Sequence, residues 1–246
     1  GTDSVYVGYN AGGVGVITGT HNVVVGKGAF LEATSGNASV FVGIDAGGQT
    51  TAGGRSAPIT GASNTCVGYG TGYDLTSGHS NVLLGRDAGA NFTDNQRNVA
   101  IGMSAMLDSN GGENYNVAVG FGALESEVTS ANYCVAVGYA ALNLQNANVK
   151  NTAIGGLAGD AITSGASNTL VGYQAGSGMT DSSNNAVFGH NAMSGGNGGN
   201  NTCLGYGAGG GALAGNDNVI VGMQAGDALT DGPGNVLIGR SAGGAM

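Results

Sequence analysis

A short apolar run that ends in glycine recurs along the whole chain. The run is three residues long and rich in Val and Ile. It follows an Asn in eleven of fourteen copies, and an Ala comes three residues after the glycine in thirteen. Successive glycines lie ~17 residues apart, a fixed period that is the sequence signature of a protein that stacks equivalent units. One interval, between Gly43 and Gly68, is longer. The fourteen glycines are Gly8, Gly26, Gly43, Gly68, Gly85, Gly102, Gly120, Gly138, Gly155, Gly172, Gly189, Gly205, Gly222 and Gly239.

The apolar run has the composition of a β-strand, since it is short, β-branched and bounded by Asn and Gly. A weaker second element follows, in which an apolar residue precedes Thr, Ser or Asp and often Gly, as in residues 75–78 and 162–165. We predict two short strands and two turns in each repeat. The predicted fold is all-β: a parallel β-solenoid, or β-roll, of about 14 rungs of ~17 residues. Rungs ~4.8 Å apart would make it elongated, roughly 65 Å long.

We expect residues 1–246 to form a single repeat domain. The longer interval between Gly43 and Gly68 predicts an insertion loop around 49–58, which contains Arg55. Extra residues in a solenoid usually form a loop on one face, and such loops often carry binding residues. A tolerated surface insertion is the simpler interpretation, and a contact between Arg55 and a ligand is the alternative.

Alternation along each strand sends its central residue to one face and its two flanking residues to the other. Both faces are apolar, so the sequence leaves open which one forms the interior of the coil. An apolar ladder exposed along the chain exceeds what soluble monomers tolerate. Another copy of the chain, arranged in closed symmetry, is the simplest cover. The central residues predicted to form a core or oligomer ladder include Val24, Leu83, Leu170, Val187, Ile220 and Leu237.

The recurring Asn and Gly residues are interpreted as structural. Stacked asparagines at the strand entrance can bond one another through their side-chain amides. The glycine at the strand end suits a backbone conformation or a close approach that other residues do not allow. Representative positions are Gly26, Gly85, Gly102, Gly155, Gly172 and Gly222, with Asn22, Asn81, Asn98, Asn168 and Asn218.

Composition and charge exclude several classes of partner. The chain has 52 Gly, no Trp and a net charge of −9, and its six basic residues are scattered singly. It therefore has no basic stripe for nucleic acid. No apolar run is long enough to span a membrane. The three cysteines form no CxxC pair, so we expect no metal or other cofactor.

Tyrosine recurs directly after the repeat glycine. Ladders of like residues arise wherever equivalent positions stack, so packing at a corner of the coil is the favoured interpretation. A platform for sugar rings, or another surface contact, is the alternative. These residues are Tyr69, Tyr139, Tyr173 and Tyr206.

Enzyme activity is not expected. A glycosidase needs two carboxylates ~5 to 9.5 Å apart in a cleft, and no pair stands out from its repeat position. The histidines share no spacing that suggests a catalytic triad. Aspartates in equivalent turns are interpreted as caps rather than calcium ligands, and an ice-binding surface would need more outward Thr. The carboxylate pairs considered are Glu125 with Glu127, Asp45 with Asp87, and Asp217 with Asp227.

Residues 98–102, 116–124 and 168–176 resemble the repeats of bacteriophage tail fibres and of the head domains of trimeric autotransporter adhesins. The resemblance covers all fourteen copies. It implies a homotrimer of left-handed parallel β-rolls, on the virion surface or outside the cell, that attaches to a cell-surface glycan or protein receptor. The repeat is longer than that of the adhesin heads, which favours the tail fibres. The alternative is a subunit of an end-to-end extracellular filament.

Overall fold

The structure is a computed structural model that describes residues 2–13, 17–31, 33–48, 58–109, 111–126, 131–146 and 149–244. These residues contain fourteen three-residue parallel strands and no helix, which confirms the predicted all-β parallel solenoid. The strands are β1 (Val5–Val7), β2 (Val23–Val25), β3 (Val40–Val42), β4 (Thr65–Val67), β5 (Val82–Leu84), β6 (Val99–Ile101), β7 (Val117–Val119), β8 (Val135–Val137), β9 (Thr152–Ile154), β10 (Thr169–Val171), β11 (Ala186–Phe188), β12 (Thr202–Leu204), β13 (Val219–Val221) and β14 (Val236–Ile238).

The chain divides into two compact units, Gly1–Ser130 and Ala131–Met246. The first unit carries β1 to β7, and the second carries β8 to β14. A single domain over 1–246 stays a prediction. Of the insertion loop predicted around 49–58, all but Pro58 lies outside the described residues, and so does Arg55.

Strand register is set by the repeat length. In the first unit Val82 pairs with Val99, and in the second Thr169 pairs with Ala186, so equivalent residues stack in columns. The longer interval before Gly68 leaves this register intact, because Val40 pairs with Thr65 as the first residues of β3 and β4. The difference in length between this repeat and its neighbours therefore does not shift the strand pairing.

The central residue of each strand points into the interior of its unit. Val24, Leu83, Leu170, Val187 and Ile220 are fully buried, and Leu237 is half-buried in β14. The flanking residues of every strand are half-buried or exposed. The predicted core or oligomer ladder is thus a core ladder, and the outward apolar face is made of the flanking residues.

Large and small residues alternate between two interior positions, the strand centre and the position four residues after the repeat glycine. Where the centre is Ala100, the second position is the fully buried Met106. Where the centre is Leu83, the second position is Gly89, and a Cβ there would lie 3.0 Å from Leu83 Cδ2. Close-packed interiors require a filled volume, and this exchange supplies it in these rungs. The rung of Ala153 and Gly159 is small at both positions, and side chains of Leu170 and Ile162 approach Gly159 instead.

The second strand predicted in each repeat does not form in the described residues. The apolar residues of that element are nevertheless buried, as Leu75 is. Its backbone bends instead of running straight, and at the bend Thr76 O accepts from both Thr60 N–H and Gly61 N–H, at 2.8 and 3.0 Å. Pairing in this element is limited to an isolated parallel bridge between Ala33 and Ile59 in the described residues.

Candidate functional site

A ladder of buried asparagines runs just before the strands of each unit. Asn168 Nδ2 donates to Asn151 Oδ1 at 3.2 Å and to the Ser182 carbonyl at 2.9 Å. Asn168 Oδ1 in turn accepts from the backbone N–H and the Nδ2 of Asn185, at 2.9 and 3.1 Å. Both donors and both lone pairs of the amide are therefore used. The contact from Nδ2 to the preceding Oδ1 recurs at Asn81, Asn98, Asn218 and Asn235.

Other polar residues take over where the ladder lacks Asn. Asn22 Oδ1 accepts from the Ser39 N–H, and Ser39 Oγ accepts from the Asn64 N–H. In the second unit, Gln145 Nε2 donates to Cys134 Sγ at 3.0 Å, and Gln145 Oε1 accepts from Asn151 Nδ2 at 3.0 Å. The sequence pattern did not reveal Ser39 or Gln145 as members, because neither is an Asn of the repeat.

The repeat glycine ends each strand in a conformation that L-residues rarely adopt. Gly172 has φ +136°, and a Cβ there would lie 2.5 Å from the carbonyl oxygen of Gly189 in the next rung. Both the backbone angle and the close stacking thus require glycine. The same conformation and the same close approach occur at Gly26, Gly85, Gly102, Gly155 and Gly222.

The first and third residues of the strands form the outer apolar face of each unit. Over the fourteen strands, four of these residues are Thr, and the rest are Val, Ile, Leu, Phe or Ala. Several are well exposed, including Ile154 at 42% and Leu204 at 49%. No charged residue occupies a strand position in either unit. The outer apolar face is therefore uninterrupted along the strands of each unit.

Aromatic residues form an exposed column just beyond this face. Tyr69, Tyr139, Tyr173 and Tyr206 follow the repeat glycine, and each is about half exposed. In the second unit the His190 ring lies between those of Tyr173 and Tyr206, with centroids 5.3 Å from each. In the first unit the Arg86 guanidinium lies 5.6 Å from the centre of the Tyr69 ring. Stacking on neighbouring rungs thus limits the movement of these rings.

Among the described residues, two clefts open beside this column, one in each unit. The first encloses about 390 Å³ and is lined by Asp45, Tyr69, Gly70, Tyr73, Asp87, Ala90 and Leu107. The second encloses about 330 Å³ and is lined by Asn191, Ser194, Tyr206, Gly207, Gly210, Gly211, Gln224 and Asp227. Each contains a Tyr after the repeat glycine and a Gly directly after that Tyr. The sequence pattern singled out the tyrosines but did not reveal the clefts.

Of the candidate carboxylate pairs, the structure brings Asp45 and Asp87 together in the lining of one cleft. Asp227 lines the other cleft without Asp217, and Glu127 lies outside the described residues. Asp181 accepts from Asn197 Nδ2, as a turn residue does. Within the described ranges no group of three His, Cys, Asp or Glu side chains could hold a metal ion.

The cysteines are free and buried in the interior. Burial raises the pKa of the Cys66 thiol far above its ordinary value and raises the pKa of Cys203 to about 12. A thiolate is the reactive form of cysteine, so neither residue is a nucleophile in the folded protein at neutral pH.

Within the described ranges, no helical segment has the length and hydropathy that a membrane span needs. Comparison of the chain with protein-family models, with curated proteins and with solved structures finds no match.

Proposed function

We propose that the chain is a structural segment of a fibre, on a virion or outside a cell, in which three copies assemble through the outer apolar face. The observation that carries the proposal is that face: two outward positions in each of fourteen strands, without a single charge. An apolar surface of this extent is covered in a functional protein. The resemblance of the repeat to tail-fibre and adhesin repeats supports the same function.

A second copy of the chain fits this face better than an unrelated partner does. The face repeats at the spacing of parallel strands, ~4.8 Å. A partner that packs side chains between its rows must share that spacing, and another copy of the chain does so. Closed cyclic symmetry covers the face on every copy, and the three-fold arrangement is the one that the resemblance implies.

The outer surface then serves attachment. A solenoid with stacked equivalent positions presents the same groups many times along its length. Binding sites repeated on one body act together, so weak individual contacts give strong attachment. This proposal assigns the chain no catalytic activity.

The mass of the native protein tests the assembly. We expect light scattering after size-exclusion chromatography to give the mass of three chains of 23.7 kDa each. Ile154→Glu, in the third position of β9, should abolish the trimer, because it places a charge in the covered face. Leu144→Glu is the matched control, since Leu144 is also exposed (47%) but lies in a turn.

A folded monomer or dimer of the wild-type chain would contradict the trimer. A mass that grows continuously with concentration would instead favour the end-to-end filament. If Ile154→Glu stays trimeric, the outer apolar face is not the interface.

A further inference from the structure

We infer that the two clefts are binding sites for neutral glycans, each built around a tyrosine ring. The inference rests on the proposed function, because it supplies the attachment site of the fibre segment. It concerns the Tyr69 cleft of the first unit and the Tyr206 cleft of the second.

Both clefts arise from the same local exception in the repeat. The second residue after the repeat glycine carries a side chain in most copies, but it is Gly70 or Gly207 here. Two other copies also have glycine at this position, and there it follows Lys27 or Phe121. Among the fourteen copies of the repeat, only the two at the clefts therefore have tyrosine followed directly by this glycine.

The glycine lies between the equivalent residues of the rungs on either side, whose backbones are two rung spacings, or about 9 to 10 Å, apart. In the second cleft the space above Gly207 is open, whereas in the first the Asp87 carboxylate occupies the space above Gly70. The flanking residues are Asp45 and Asp87 in the first cleft, and Asn191 and Gln224 in the second.

Glycine is needed at the floor of the first cleft. A Cβ at Gly70 would lie 2.6 Å from Asp87 Oδ1, so any side chain there would displace the carboxylate. In the second cleft a Cβ at Gly207 would lie 3.6 Å from Gln224 Cγ, and the floor is open. In the first cleft the Asp87 carboxylate therefore occupies the space that a side chain at Gly70 would need. In the second cleft the Gln224 side chain lies near Gly207 but leaves that space open.

The lining of the clefts suits a sugar. The tyrosine ring offers an apolar face on which the C–H side of a pyranose can pack, and its hydroxyl is a hydrogen-bond partner. Carboxylates and amides at the rim accept hydrogen bonds from sugar hydroxyls, and amides also donate them. The volumes of about 390 and 330 Å³ lie at the lower end of the range for small-molecule sites.

Neighbouring side chains hold the binding groups in place. Arg86 Nε donates to Asp87 Oδ2 at 3.0 Å while its guanidinium lies over the Tyr69 ring. In the second cleft the Tyr206 ring stacks on His190. Groups that are already ordered lose less conformational freedom when a ligand binds.

The charge of the clefts selects among glycans. Asp45, Asp87 and Asp227 contribute carboxylates, whereas no Lys or Arg is among the described residues that line either cleft. Asp87 is paired with Arg86, which leaves Asp45 in the first cleft and Asp227 in the second to repel an acidic sugar. The ligand class is therefore a neutral oligosaccharide.

The experiment uses the full chain and measures binding by saturation-transfer NMR and tyrosine fluorescence. The probes are neutral hexasaccharides of glucose, mannose, galactose and N-acetylglucosamine, with hexagalacturonate as the acidic comparator. We expect at least one neutral probe to bind and hexagalacturonate not to bind. The double variant Tyr69→Ala/Tyr206→Ala should lower the affinity at least tenfold.

The matched control is Tyr139→Ala. Tyr139 occupies the same column and is similarly exposed, but Ala140 follows it where the clefts have Gly. The affinity of this variant should equal that of the wild type, and circular dichroism should show all variants folded. Absence of binding by every neutral probe, equal losses in the double variant and the control, or tighter binding of hexagalacturonate would each overturn the inference.

Light scattering on the same samples separates this inference from the proposed function. A trimer that binds none of the probes overturns the glycan sites alone. A folded monomer that binds a neutral probe through Tyr69 and Tyr206 overturns the assembly but supports the sites.

Discussion

Replacing Asn168 with Ala removes a buried amide that connects three consecutive rungs of the second unit. Four side-chain hydrogen bonds are lost, between 2.9 and 3.2 Å long. The Ser182 carbonyl loses its donor from the ladder, and the backbone N–H and Nδ2 of Asn185 lose their acceptor. Each buried group that loses its partner costs about 1 to 3 kcal/mol. Three such groups predict a loss of about 3 to 9 kcal/mol, a large share of the stability of a typical domain.

The free energy of unfolding is measured by guanidinium denaturation, followed by circular dichroism at one fixed protein concentration, because assembly contributes to stability. The control is Asn216→Ala, since Asn216 is exposed and its side chain accepts only the Gly199 N–H in the described structure. We expect it to cost less than about 1 kcal/mol. If Asn168→Ala lies within about 0.5 kcal/mol of the wild type, the ladder does not hold the rungs together as argued.

Two further predictions concern the strand-end glycine and the buried thiols. Gly172→Ala places a Cβ against the Gly189 carbonyl at positive φ, so it should cost at least about 3 kcal/mol in guanidinium denaturation. Gly156→Ala, where φ is not positive and the nearest atom is 3.4 Å away, should cost less than about 0.5 kcal/mol; equal costs would refute the argument. Cys66 and Cys203 should react with an aromatic disulfide reagent at pH 8 only when the protein is unfolded, because burial raises the pKa of both thiols, that of Cys203 to about 12. Rapid labelling of the native protein would contradict the burial of the two thiols. Because folding raises both pKa values, the stability that the neutral thiols contribute is complete below their ordinary pKa of about 8.5. This stability is lost as the pH rises towards 12.

The strands were predictable because they depend on local sequence. Val82 to Leu84 read as a strand from β-branched and apolar composition between Asn81 and Gly85, and the repeat length then dictates parallel pairing with the next copy. The second element was mispredicted as a strand. Leu75 and Thr76 carry a strand-like composition, but the bend at this point follows from backbone groups of the neighbouring rung, which no single repeat reveals.

The clefts were not predictable from the repeat pattern. Asp45 and Asp87 are distant in the chain, and they line one cavity only because two rung spacings separate them in space. The glycine between them, Gly70, looks like an ordinary variation of the repeat. The tyrosine beside it was identified as a candidate, although its environment was not.

The sequence by itself determined the fold class, the strand positions and the structural roles assigned to the recurring Asn and Gly, because each follows from the repeat period and from local backbone preferences. Only the tertiary structure decided which apolar ladder is interior. Alternation along the strand places Val24 on the opposite face from Val23 and Val25. Because all three residues are equally apolar, the sequence does not show which face is interior. The bend of the chain around the interior decides which face that is. It buries the strand centres, where Ala100 and Met106 share the available volume, and it leaves the flanking residues as the outer apolar face.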